Sequence, residues 1–251
     1  MIRIGATIDG KYEVTGLLGG GGMGVVAEAR HLTLDTLVAI KFMRSDMVAC
    51  SVGVERFLRE ARALVKLKTQ HAVKVHDMGT YARMPYIVME HLEGTDMRKL
   101  LDAGRPLEVA DVARYMLDAC EAIAEAHSLG IYHRDLKPAN IFLSRGASGR
   151  TIVKVLDFGI AKILQPHSSH SYMSLTGAQA MMGTPSYMAP EQIVSARDID
   201  GRADIWSLGV VMYELVTGML PFQGDSPFLV QRRIQFEAPR ANPLPPMLAP
   251  I

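Results

Sequence analysis

His133-Arg134-Asp135-Leu136-Lys137-Pro138-Ala139-Asn140 brings a carboxylate, an ammonium and a carboxamide together in eight residues. Each suits a separate part of moving a phosphoryl group. A carboxylate at Asp135 can orient a hydroxyl nucleophile and accept its proton, the Lys137 ammonium can neutralise a transferring phosphate, and the Asn140 carboxamide oxygen suits a hard cation such as Mg2+. Asp-x-Lys-Pro-x-x-Asn alone also reads as a solvated turn, because Pro and Asn are ordinary turn residues. The other motifs of the chain decide between the two.

Asp157-Phe158-Gly159 follows the apolar run 152–156 and puts a carboxylate at a strand end. With Asn140 it can hold Mg2+ against phosphates. Val38-Ala39-Ile40-Lys41 sets an ammonium at the end of an apolar strand, where burial demands an anion. Glu60 on the following helix can supply it and leave Lys41 able to hold nucleotide phosphates as well, with Glu55 as the competitor. A snorkelling surface lysine is the plain alternative. The glycines of Leu18-Gly19-Gly20-Gly21-Gly22-Met23-Gly24-Val25-Val26 lie between two predicted strands, so backbone N–H groups there can approach phosphate oxygens unobstructed. A flexible hairpin fits the same residues. Strand-turn-strand speaks against a dinucleotide fold, whose glycines open a helix.

Gly183-Thr184-Pro185-Ser186-Tyr187-Met188-Ala189-Pro190-Glu191 closes the segment that Asp157 begins, and Glu191 reads as structural. Between them stand Ser168, Ser169, Ser171, Ser174 and Thr176. A phosphate on one of these hydroxyls could pair with Arg134, whose guanidinium offers a bidentate fork.

These residues need elements to position them. Runs at 12–18, 25–30, 37–42, 73–80 and 85–90, rich in β-branched and aromatic residues and separated by Gly or polar turns, predict an antiparallel sheet. The spacing of Phe57, Leu58, Ala61, Leu64, Val65 and Leu67 predicts one amphipathic helix over 54–68. After 91–94 the pattern turns helical: a long helix over 107–129, and a helix over 204–215 that is apolar nearly all round and so buried on most sides. Residues 146–149 and 165–177 read as exposed loops.

Composition sets outer bounds. The 251 residues are 49% hydrophobic, enough for a substantial core. Lys+Arg at 27 against Asp+Glu at 26 leaves a net charge of +1, so no global field recruits nucleic acid or an anionic membrane. Cys50 and Cys120 form neither a metal cluster nor a disulfide framework and read as buried thiols of a reducing compartment. Without an apolar leader or a long uncharged stretch, the chain is expected to be soluble and cytoplasmic, with room for a membrane segment in a longer product beyond Ile251.

Taken in order, Gly19-x-Gly21-x-x-Gly24-x-Val26, Val38-Ala39-Ile40-Lys41, Glu60, the 133–140 loop, Asp157-Phe158-Gly159, Ala189-Pro190-Glu191 and Asp204 resemble the eukaryotic-type protein kinase family, and most closely its bacterial serine/threonine members. The resemblance implies an α+β, two-lobed fold over 1–251. A small antiparallel-sheet N-lobe with one helix takes 12–90, and a mainly helical C-lobe takes 91–251. It implies ATP in a cleft below the glycine loop, with Leu18, Gly19, Gly21 and Gly24 over the phosphates and Met89 behind the adenine. Val26 and Ala39 would lie above the base and Phe142 below it, with the backbone of Glu90 and Leu92 reading its edge. Asp135 would be the catalytic base, Lys137 would steady the phosphate, and Lys41 would pair with Glu60. Asn140 and Asp157 would hold Mg2+, for which Mn2+ could substitute.

The Asp-Leu-Lys-Pro form and Thr184 resemble kinases acting on Ser or Thr of proteins. Arg134, Phe158, Gly159, Thr176, Thr184 and Glu191 fall at regulatory positions, Thr176 where bacterial relatives are modified. Autophosphorylation would bring two copies together as a homodimer. Gly20 departs from the family pattern, and 238–247, rich in Pro, cannot continue a helix. The last helices of the C-lobe, with the arginine that would pair Glu191, are therefore expected to be missing. Two other functions compete: a truncated, inactive nucleotide-binding pseudokinase acting as an interaction module, and a kinase-like phosphotransferase for small molecules. Complete catalytic side chains weigh against the first and the Ala-Pro-Glu segment against the second.

Overall fold

The structure is a computed structural model that describes residues 2–21, 24–44, 48, 51–104, 107–146, 149–158, 185–194 and 199–240, without the side chains of residues 51, 52, 56 and 60. Its described residues divide into two compact units, one up to Glu93 and one from Gly94 onward.

The first unit is a six-stranded antiparallel sheet carrying one helix. Its strands are β1 (Thr7–Ile8), β2 (Tyr12–Gly21), β3 (Gly24–His31), β4 (Thr36–Met43), β5 (Val75–Tyr81) and β6 (Met84–Glu90), in the order β1-β2-β3-β4-β6-β5. Ala27 opposes Ile40, which opposes Val88, and Ala29 opposes Val38. Directly opposed residues share a face, so these side chains join Ile8, Tyr12, Val14, Phe42 and Tyr86 in one buried cluster. The other face carries Val26, Ala39 and Lys41. Helix α1 (Ser51–Leu64) packs on β5 and β6 through buried Phe57, Ala61 and Leu64. It ends earlier than its apolar pattern predicts. Lys66 N–H and Leu67 N–H turn back to residues three earlier, Ala63 and Leu64, and Val65 is exposed; such tightened bonds satisfy the last carbonyls of a helix.

In the second unit, α2 (Met97–Asp102) is capped by the Asp96 carboxylate, which accepts from Lys99 N–H at 3.0 Å. Next come α3 (Val109–Ser128), β8 (Ile141–Arg145) and β9 (Thr151–Val155), which with β7 (Gly94–Asp96) form a three-stranded sheet. Among the described residues the α-helices α4 (Pro190–Val194), α5 (Arg202–Thr217) and α6 (Pro227–Phe236) follow. Helix α5 buries Asp204, Leu208, Val211 and Leu215 on the side that meets α3 and residues 185–187, but Ile205 and Met212 are exposed, so one face stays open where burial on most sides was expected. Cys120, expected to be buried, is exposed on α3; Cys50 lies outside the described residues. Among the described residues no helix is long and apolar enough to cross a membrane.

Candidate active site

The 133–140 loop is built from below by one carboxylate. Asp204, in the first turn of α5 and fully buried, accepts from His133 N–H at 2.8 Å through Oδ2 and from Arg134 N–H at 2.6 Å through Oδ1. Oδ2 also lies 2.8 Å from His127 Nε2. Arg134 takes a left-handed backbone, φ 61°, which costs a non-glycine residue of order 1–3 kcal/mol and persists only where neighbours hold it. Its carbonyl accepts from Gln192 Nε2 at 3.0 Å, so the loop is gripped from α4 as well.

His133 faces inward. Its Nε2 donates to the Leu156 carbonyl at 2.8 Å, while Nδ1 accepts from Asp135 N–H at 3.3 Å. One ring nitrogen donating and one accepting describes a neutral imidazole, and burial pushes its pKa below the ordinary histidine value. The ring packs on Phe158, with centroids 5.0 Å apart.

With its backbone fixed this way, Asp135 turns a partly exposed carboxylate outward. Lys137 Nζ lies 2.8 Å from Asp135 Oδ2. Pro138–Asn140 forms a 3-10 turn, and Asn140 Nδ2 donates to the Asp135 carbonyl at 2.8 Å. Because that carbonyl only accepts, the amide nitrogen must face it, and Oδ1 is the end left to ligate. Leu156 N–H donates to the Asn140 carbonyl at 2.9 Å, and Ile141 opposes Val155, so the loop and the end of β9 are laced together. Asp157 follows with φ 55°. The donors that Asn140 and Asp157 offer are oxygens, which fits Mg2+, an ion that uses one or two carboxylates, waters and substrate phosphates. Among the described residues no group of three or more His, Cys, Asp or Glu side chains could cage a metal by itself.

Candidate nucleotide residues of the first unit share one sheet face. Val26 opposes Lys41, and Ala39 opposes Met89; Lys41, Ala39 and Met89 are all buried. Gly19 opposes Val26 and Gly21 opposes Gly24, so the glycine run forms the β2–β3 hairpin, with exposed Leu18 beside it. Glu55 pairs with Arg59 at 2.7 Å on the exposed side of α1. Glu60 falls on α1 with its side chain outside the description, as Gly159, Thr176 and Thr184 are altogether. Glu90 closes β6 and Leu92 follows it; in the second unit Phe142 lies on β8, Phe158 is buried, and Glu191 is exposed.

Sequence reasoning did not find Arg98, Tyr187 and Glu214. Arg98 Nη1 lies 2.9 Å from Glu214 Oε1, and Tyr187 OH donates to Oε2 at 2.6 Å. Glu214 is buried; that carboxylate pushes the Tyr187 phenol far up, after burial itself. These partners stand too far apart in the chain for any local pattern to pair them. His127 and Gln192 were missed as well; His127 stands in the run that leads into the loop, and Gln192 carried no signal.

Residues 12–242 match the family model described as protein kinase domain. The chain is 41% identical over 224 residues to serine/threonine-protein kinase pkn3 of Myxococcus xanthus, covering 89% of this chain and 40% of that protein. It is 38% identical over 243 residues to serine/threonine-protein kinase PknB of Mycolicibacterium smegmatis, covering 95% and 37%. The chain thus spans well under half the length of these curated relatives. The crystal structure of the Mycobacterium tuberculosis PknI kinase domain carrying two substitutions superposes with a TM-score of 0.70 at 29% identity, over 89% of this chain and 79% of that one. The two-lobed fold, the ordered motifs and these similarities agree: the chain belongs to the protein kinase family, in its bacterial eukaryotic-type serine/threonine branch.

Proposed function

We propose that this chain transfers the γ-phosphoryl group of Mg-ATP to Ser or Thr hydroxyls of proteins, its own included. The observation that carries the reading is the Asp135–Lys137 pair at 2.8 Å on a loop whose backbone Asp204 holds. A substrate hydroxyl placed at Asp135 would give up its proton to the carboxylate as its oxygen attacks the γ-phosphorus; the bond to the β–γ bridging oxygen breaks and ADP leaves. Lys137 neutralises charge gathering on the equatorial oxygens. Asn140 Oδ1 and the Asp157 carboxylate would hold Mg2+, with Mn2+ as substitute; the ion screens the phosphates and orients them.

In the first unit, Lys41 would hold the α- and β-phosphates, Glu60 would orient Lys41, and Leu18, Gly19, Gly21 and Gly24 would pass over the phosphate chain. Val26, Ala39 and Met89 would supply apolar surface for adenine, and the backbone at Glu90 and Leu92 its polar edge. Among the described residues Leu92 enters no backbone hydrogen bond, which suits that role. Arg134 donates from Nη2 to the Ile199 carbonyl at 3.3 Å, while its buried Nε finds no partner among the described residues. That donor supports phosphate binding from a modified Thr176 or a neighbouring hydroxyl, with Phe158 and Gly159 at regulatory positions.

Radiolabel transfer from Mg-ATP to a generic Ser/Thr protein substrate tests the reading against an Asp135→Asn control. A drop of 10²-fold or more is expected, in the range general-base loss gives. Equal signal from the two proteins would exclude the mechanism. Mass spectrometry after incubation with ATP tests Thr176 separately: phosphate is expected within residues 168–176.

A further inference from the structure

Three side chains of the first unit have no part in the chemistry so far. His91 Nε2 lies 3.1 Å from Glu28 Oε2, and Thr15 Oγ1 donates to the other carboxylate oxygen, Oε1, at 2.8 Å. The three come from separate places: Thr15 from β2, Glu28 from β3, and His91 from the residue just past β6. The imidazole is only 15% exposed and the carboxylate 28%, so both are partly shielded from bulk water at this contact.

Strand register fixes the face on which Glu28 lies. Glu28 opposes Ala39, which opposes Met89; two residues along, Val26 opposes Lys41. Opposed residues share a face, and so do alternate residues of one strand. Glu28 therefore shares its face with Val26, Ala39, Lys41 and Met89, the residues assigned to the nucleotide. The chain leaves the sheet at Glu90, whose N–H still donates to the Lys74 carbonyl at 3.0 Å. Beyond Glu90 the ladder gives no such support, and the His91 ring supplies the next anchor.

We propose that Thr15, Glu28 and His91 form a positioning relay that fixes the 90–92 backbone for adenine. Thr15 orients the Glu28 carboxylate, Glu28 holds the His91 ring, and the ring sets the direction in which Leu92 presents its N–H and C=O. Either the neutral Nε2–H imidazole or the imidazolium donates this bond. The inference rests on the reading that the adenine edge meets the backbone of residues 90–92.

Steady-state kinetics on the intact chain with ATP and a peptide substrate test it. His91→Ala is expected to raise the KM for ATP about three- to tenfold, the size of one lost hydrogen bond, with kcat and the peptide KM within about twofold of the parent. His91→Gln, whose carboxamide can donate to Glu28, recovers most of the loss. Thr15→Val moves the ATP KM the same way by less, and it serves where His91→Ala folds poorly. An unchanged ATP KM in His91→Ala, a fall in kcat matched by the peptide KM, or a His91→Gln as poor as His91→Ala overturns the relay. Parent enzyme that uses GTP as well as ATP overturns the adenine-edge reading itself, and the relay with it, whatever the variants do.

Discussion

Asp204 Oδ2 and the His133 N–H meet at 2.8 Å across 71 positions of sequence. That contact and its neighbour to Arg134 N–H turn the loop into a fixed platform, since both donors take their acceptor from one buried carboxylate. Asp204→Asn leaves one acceptor oxygen and turns an amide donor on one of the two N–H groups. An unsatisfied buried backbone donor costs about 1–3 kcal/mol. A stability loss of that size is expected in urea unfolding, with kcat down at least about tenfold as Asp135 loses its fixed backbone. A variant with the parent's kcat would show that Asp135 is held by something else.

Arg98 and Glu214 give a second measurable pair. The Glu214 side chain is 6% exposed and that of Arg98 36%, so Arg98→Met strands a buried carboxylate with Tyr187 as its remaining donor. We expect a loss of about 2–3 kcal/mol, below the full cost of a stranded buried charge because Arg98 itself is partly solvated. In a Glu214→Gln background the same Arg98→Met change should cost at least about 1 kcal/mol less. A double-mutant cycle by denaturant unfolding reads the coupling, and additive losses would mean that the pair contributes nothing.

The grouping of Asp135, Lys137 and Asn140 was legible in the sequence because the three lie at short spacing within one loop, and the structure keeps Lys137 Nζ and Asn140 Nδ2 on Asp135. So were the long strands, where β-branched runs end at Gly or polar turns. What held these parts was mostly hidden. Strand β1 has two residues and exists because Thr7 and Ile8 pair with Glu13 and Tyr12. Strand β7 is Gly94–Asp96, recruited by β8, which itself follows the Asn140 turn too closely to be read apart from it. Helix α6 did carry a signal that went unread: Ser226 caps Leu229 N–H at 3.2 Å and Pro227 takes the first turn. No local pattern links Arg98 to Glu214 or His127 to Asp204, because tertiary packing alone chooses those partners.

His133 predicts an acid limit to stability. Burial lowers its folded pKa below the ordinary value of 6.5, so the unfolded chain binds a proton first as pH falls. Its contribution is whole above about pH 6.5 and is lost progressively below it, down to the folded pKa. One such proton gives a slope of at most about 1.4 kcal/mol per pH unit. Unfolding free energies measured between pH 7 and 5 should fall with pH, and His133→Phe should flatten that slope while lowering stability at pH 7 through the lost Leu156 bond. An equal slope in the variant would assign the acid sensitivity to other groups.

Gly24 and Gly20 predict opposite signs within one hairpin. Gly24 has φ 152°, and a Cβ there would lie 1.9 Å from the Phe42 carbonyl oxygen, a backbone atom that cannot step aside without opening the β3–β4 ladder. At Gly20 the nearest atom to a Cβ is the Gly24 carbonyl oxygen at 3.9 Å, an ordinary contact. Gly24→Ala should therefore destabilise by more than about 2 kcal/mol and raise the KM for ATP. Gly20→Ala should be neutral or stabilise by up to about 1 kcal/mol, because it removes freedom only from the unfolded chain. Thermal unfolding and ATP kinetics on the two single variants decide the matter; a destabilised Gly20→Ala would mean that the hairpin needs glycine at Gly20 for a reason other than space.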